Sequence, residues 1–169
     1  MRFRVWITIA LGGTFFGAST KAESQESLPA EWVIEAGVLN ILHDDEDEQW
    51  MGGLEYRLPE IKWGVRPWVG VAHAEEGTTL VSAGLIYTFK ARSGWRLSAG
   101  WAPTYYDQGR GKDLGGDLEF YTFGEVGYEF RNHHALGLRF GHLSNGGFCD
   151  RNPGTETLMM SYALPLARH

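Results

Sequence analysis

The chain has 169 residues, room for one domain and too few for two comfortable ones. A formal net charge of −6 argues against a nucleic-acid partner, and a single cysteine, Cys149, rules out a disulfide framework. Glycine (23 residues) and aromatics (7 Trp, 7 Tyr, 9 Phe) favour strands and turns over helices.

The chain begins MRFRVWITIALGGTFFGASTKA. Arg2 and Arg4 precede an apolar run over 5–18, as in a secretory signal, and that run falls short of the ~20 residues a spanning helix needs. Thr20 and Ala22 suit the small-residue cleavage positions. The expected organisation is a signal peptide over 1–22 and one domain over 23–169.

From there the sequence divides into eight segments bounded by turn residues: 32–42, 50–58, 62–72, 80–90, 95–106, 118–130, 134–144 and 157–166. No helix-period segment competes with them, and no repeat appears beyond this spacing. The acidic run Asp44, Asp45, Glu46, Asp47 and Glu48 follows the first segment and reads as a solvated loop, lacking the spacing of a calcium loop.

Within the segments, apolar and polar residues alternate. Trp50, Leu54, Tyr56 and Leu58 stand against Glu55 and Arg57; Trp63, Val65, Val69 and Val71 stand against Lys62 and Arg66. Val81, Leu85, Tyr87 and Phe89 oppose Ser82, Thr88 and Lys90, and Trp95, Leu97 and Trp101 oppose Arg96 and Ser98. Leu118, Phe120, Val126 and Tyr128 oppose Glu119, Glu125 and Glu129, and Leu136, Leu138 and Phe140 oppose Arg139. Either a soluble barrel with its apolar face inward or a membrane barrel with that face outward gives this pattern. Export, eight strands and aromatics near the strand ends favour the second: an all-β, eight-stranded antiparallel transmembrane β-barrel of the outer membrane. Its lumen would hold a paired network of Arg57, Arg66, Arg96 and Arg139 with Glu55, Glu119, Glu125 and Glu129. Connections after the second, fourth and sixth segments are short and periplasmic; the others, longer or more polar, are extracellular.

The seventh segment runs into GHLSNGGFCDRNPGTE. His142 and Ser144, two residues apart on a strand, share one face, and that is the lipid-facing phase of Leu138 and Phe140. Glu156 shares the phase of Leu158, Met160 and Tyr162 on the next strand. A hydroxyl, a base and a carboxylate able to orient the base form the minimal kit for nucleophilic acyl transfer. From the pattern alone, an ordinary interfacial polar cluster explains the three residues equally well.

The H-L-S-N stretch followed by N-P-G-T-E, on the last two strands of an exported barrel, resembles the PagL family of lipid A 3-O-deacylases. The resemblance implies a serine esterase with Ser144 as nucleophile, His142 as general base and Glu156 orienting the histidine. It also implies an oxyanion hole at Gly147 and Asn152, with Asn145 in support. The substrate would be lipid A in lipopolysaccharide of the outer leaflet of a Gram-negative bacterium, losing the acyl chain at position 3. No cofactor or metal is implied; the partners are substrate and outer-membrane lipids, with a homodimer allowed. Phe148 and Cys149 depart from the aliphatic residue expected there, and the chain ends ALPLARH without a terminal aromatic.

Cys149 has no base near it except His142, and Ser144 has the better spacing to that base. His43, His73, His133 and His134 read as interfacial residues rather than metal ligands. A barrel serving adhesion or envelope integrity is the rival from another class, and a phospholipase the rival substrate. The adhesion barrel needs no histidine and glutamate on its lipid face.

Overall fold

The computed structural model describes residues 27–42 and 48–166. The segment read as a signal peptide, His43 and the acidic residues Asp44, Asp45, Glu46 and Asp47 lie outside them.

Eight antiparallel strands form a closed barrel in sequence order. They are β1 (Glu31–Leu39), β2 (Gln49–Arg57), β3 (Val65–Ala74), β4 (Thr79–Lys90), β5 (Trp95–Asp107), β6 (Leu118–Glu129), β7 (Ala135–Ser144) and β8 (Thr155–Pro165). Closure comes from β1 pairing with β8, so no sheet edge is left open.

The period-two pattern decides what faces where. Leu85, Tyr87, Phe89, Leu97, Val126, Leu138 and Phe140 are about half exposed around the outer wall, whereas Arg57, Arg66 and Arg139 are 1% exposed or less inside. A soluble barrel would show the reverse. An apolar belt around the whole circumference far exceeds the patch a soluble monomer carries, and it suits hydrocarbon.

The lumen is layered. Arg57 donates to both oxygens of Glu125 (3.1 and 2.9 Å) and to Glu55. Arg139 reaches Glu125 at 2.9 Å, Glu55 at 2.8 Å and Glu35 at 2.8 Å, with its guanidinium 3.9 Å from the Phe123 ring centre. Nearer the chain termini, Arg66 and Arg96 both pair with Glu31. Beyond Arg139, Leu39, Met51, Leu80, Tyr106, Leu114, Leu143 and Met159 pack as one buried apolar cluster, with buried polar residues such as Thr104 and Thr157 at its side.

Four sequence expectations change. The network recruits Glu31 and Glu35 of β1, which are not among the eight residues expected in it. Glu119 does not join it: the residue is fully buried, and neither carboxylate oxygen has a hydrogen-bond partner among the described residues. It sits beyond the reach of the arginine layer, beside Thr104 of β5. Strand bounds shift as well. β1 stops at Leu39 because Asn40 takes a left-handed φ of 67°, β3 starts only after left-handed Trp63 and Gly64, and β8 begins at Thr155. Finally, the connection over 58–64, expected to be short, is longer than the polar connection over 75–78 at the opposite end.

Candidate active site

His142 and Glu156 are paired directly across β7 and β8. Both point outward, and imidazole Nδ1 lies 3.1 Å from Glu156 Oε1. The histidine side chain is 45% exposed and the glutamate 17%, so the carboxylate is the more sheltered partner. Behind the ring the chain is pinched: Gly154 takes a φ of 64°, and a Cβ there would sit 2.9 Å from His142 Cε1. With Nδ1 held by the glutamate, Nε2 is the nitrogen available to a reacting group.

Ser144 ends β7 on the same face as His142 and pairs across β6 with Phe120. It is half-buried, and its hydroxyl makes no hydrogen bond among the described residues. The structure thus joins two of the three expected residues by a hydrogen bond and places the third beside them on the same strand.

The loop over 145–154 is fastened by Asn145, which is wholly buried. Its Nδ2 donates to Leu114 O (3.0 Å) and Arg151 O (2.7 Å), and its Oδ1 accepts from Gly147 N (3.0 Å). Its backbone N donates to Asn152 Oδ1 at 3.1 Å. The side chain that follows Ser144 therefore acts inside the loop. Gly147, expected as an oxyanion donor, has its N–H engaged by Asn145, whereas the Asn152 side chain is exposed. Arg151 forms an ion pair with Asp113 at 2.9 Å, tying this loop to the one over 108–117.

Three neighbours were not singled out from sequence. Thr122 pairs with His142 across β6 and donates to its carbonyl at 3.4 Å; it is the polar exception on the outer face of β6, so the phase argument that exposes His142 marks it too. Gly154 and Leu114 carried no comparable signal, because their roles are a backbone angle and a carbonyl. Cys149 is half-buried against Gly116 of the neighbouring loop. His73 bonds to Thr79, His133 to Glu129 and His134 to Tyr162, each remote from this cluster.

Solved structures of similar shape agree on the architecture. The crystal structure of the outer membrane enzyme PagL aligns with a TM-score of 0.61 at 21% identity, over 80% of this chain and 99% of that one. Neisserial surface protein A (NspA) aligns at 0.56 and 12% identity, over 81% of this chain and 96% of its own. A designed transmembrane β-barrel matches at 0.56 and 12%, covering 83% and 98% of the two chains. No curated protein sequence matches the chain. The closed barrel and its outward apolar wall thus define a β-barrel of the outer membrane. Residues 39–165 match the family described as lipid A 3-O-deacylase (PagL). The chain belongs to that family: it is a lipid A deacylase, a hydrolase of the Gram-negative outer membrane.

Proposed function

We propose that this deacylase is a serine esterase whose nucleophile is Ser144, with His142 as base and Glu156 orienting the imidazole. The observation that carries the reading is the direct His142–Glu156 pair on the lipid-facing wall, two residues from an outward-facing serine. An unpaired histidine and glutamate facing hydrocarbon would cost up to a few kcal/mol, and a purely structural barrel gains nothing from placing them there.

Nδ1–H of neutral His142 donates to Glu156 Oε1, which leaves Nε2 as acceptor. Seating of the ester brings Ser144 Oγ to Nε2; such contacts are commonly long before substrate arrives. Oγ attacks the carbonyl carbon at position 3 of lipid A as its proton passes to Nε2. The tetrahedral oxyanion is met by the Asn152 side chain, and by Gly147 N–H once it leaves or shares Asn145 Oδ1. Collapse breaks the bond to the O-3 oxygen, which takes the proton from Nε2. Water, deprotonated by Nε2, then attacks the acyl carbon; the bond to Ser144 Oγ breaks, Oγ takes the proton back from Nε2, and the fatty acid is released. An extracellular position for this site is supported by the long loops on its side, since short turns face the periplasm, and 1–22 would be the export signal.

The test is mass spectrometry of lipid A from cells making the wild-type chain, Ser144→Ala or His142→Asn. Loss of one 3-hydroxyacyl group in the wild type alone supports the mechanism. An unchanged lipid A in all strains refutes it, and thin-layer analysis of phospholipids in the same cells exposes a phospholipase.

A further inference from the structure

Among the outward-facing residues near the site, Thr122 is the polar one that neither the ion pair nor the loop uses. It stands directly opposite His142 across β6 and β7, and His142 stands directly opposite Glu156 across β7 and β8. The three therefore form one cross-strand row on the outer wall. On its other side Thr122 pairs with Trp101 of β5. A lipid-facing strand position suits valine, which has the same shape as threonine and is better matched to hydrocarbon. The hydroxyl at this place calls for a use.

The orientation of the imidazole supplies one. Nδ1 is turned to Glu156 on β8 at 3.1 Å. The opposite edge of the ring, Cδ2 and Nε2, is thereby turned to β6, the strand of Thr122. On the β8 side the ring is also closed in by Gly154, where a Cβ would lie 2.9 Å from Cε1 and 3.5 Å from Nε2. The open approach to Nε2 is from β6.

Thr122 is arranged to meet a molecule there as an acceptor. Its hydroxyl proton is directed to His142 O at 3.4 Å, its one hydrogen bond among the described residues. The lone pairs of Oγ1 are left for another donor. Thr122 and Ser144 are diagonal neighbours, because Ser144 lies two residues beyond the directly paired His142. Such positions are about 7–8 Å apart, too far for two hydroxyls to touch and wide enough for one water between Thr122 and a group bonded to Ser144 Oγ.

We propose that Thr122 holds the water that hydrolyses the acyl-enzyme. The proposal deepens the serine-esterase reading of Ser144 and rests on it. Once the saccharide has left, the water lies between two acceptors, donating one hydrogen to Thr122 Oγ1 and the other to Nε2. Its oxygen is then aimed at the acyl carbon on Ser144. The proton facing Nε2 transfers to it as the new O–C bond forms. The bond from that carbon to Ser144 Oγ breaks, Oγ takes the proton back from Nε2, and the fatty acid leaves with the other hydrogen still on its new oxygen. A wall facing hydrocarbon retains a water only where polar partners hold it, which is what Thr122 and the imidazole provide together. Acylation of Ser144 uses no water, so Thr122 acts on the second half-reaction alone.

The experiment compares wild type, Thr122→Val and Thr122→Ser as intact barrels in micelles. An alkyl fluorophosphonate modifies Ser144 without water, and the mass of the adduct reports how competent the nucleophile is. In parallel, turnover of lipopolysaccharide is quenched in acid, and acyl-Ser144 and released fatty acid are measured in the same samples. Fluorophosphonate labelling is expected at one rate in all three proteins. In Thr122→Val, fatty acid release falls roughly tenfold while acyl-Ser144 accumulates, and Thr122→Ser restores both to near the wild-type level. Slower labelling of Thr122→Val, unchanged release, or slower release without acyl-Ser144 overturns the role of Thr122 and leaves the esterase reading standing. Absence of any Ser144 adduct in the wild type overturns that reading, and the water site with it.

Discussion

His142 and Glu156 meet as direct cross-strand neighbours, one on each of the last two strands, with 3.1 Å between Nδ1 and Oε1. Backbone register, rather than a flexible loop, sets their separation. Glu156→Gln should therefore leave the barrel folded while presenting an amide where the ring expects an acceptor. Deacylation in purified micelles is expected to fall on the order of 10³-fold, with an unchanged thermal transition. Activity within a few fold of wild type would remove Glu156 from the mechanism.

Gly154 supports the same ring from behind. Gly154→Ala adds a methyl 2.9 Å from His142 Cε1 at a φ of 64°. The left-handed angle costs about 1–2 kcal/mol, and the ring must turn away from Glu156 to relieve the contact. Turnover should drop by more than the stability loss explains, measured as kcat at saturating lipid A beside the unfolding midpoint.

Asn145→Ala removes the side chain that fastens the loop. Leu114 O and Arg151 O lose their donor, and Gly147 N its acceptor. The expected cost is about 2 kcal/mol. Limited proteolysis should cut within 146–153 in this variant and spare the wild type.

The lumen makes two opposite predictions. Arg139→Met leaves Glu35, Glu55 and Glu125 without their shared cation and should destabilise the barrel by about 3–5 kcal/mol. Glu119→Gln replaces a buried carboxyl group that has no hydrogen-bond partner among the described residues, and should leave the barrel as stable or more so. Urea unfolding in micelles separates the two.

Much of this was legible in the sequence because a strand repeats every two residues. A polar side chain in the apolar phase is conspicuous, and that is how His142, Ser144 and Glu156 stand out together from the amino-acid sequence alone. What the alternation cannot supply is distance around the barrel. Arg139 and Glu55 are 84 positions apart yet bonded, and nothing local tells Glu125, which is ion-paired, from Glu119, which has no such partner among the described residues. The role of Asn145 was hidden for a related reason. Its partners are backbone carbonyls, one of them 31 residues away, and a carbonyl has no sequence signature. β8 begins earlier than expected because Thr155 and Thr157 are buried polar residues on the lumen side, which blur the apolar pattern that marks a strand.

The filled lumen bears on what the host cell risks by carrying this protein. Around Arg139 the interior leaves a cavity of only about 30 Å³, room for about one water, between the ion-pair layer and the apolar cluster. A barrel so stoppered offers solutes no passage, and the freed fatty acid no way down to the periplasm. The product must depart sideways into the leaflet from which the substrate came. Remodelling of the cell's outermost lipid can then proceed while the envelope stays sealed to the detergents and antibiotics that lipid keeps out.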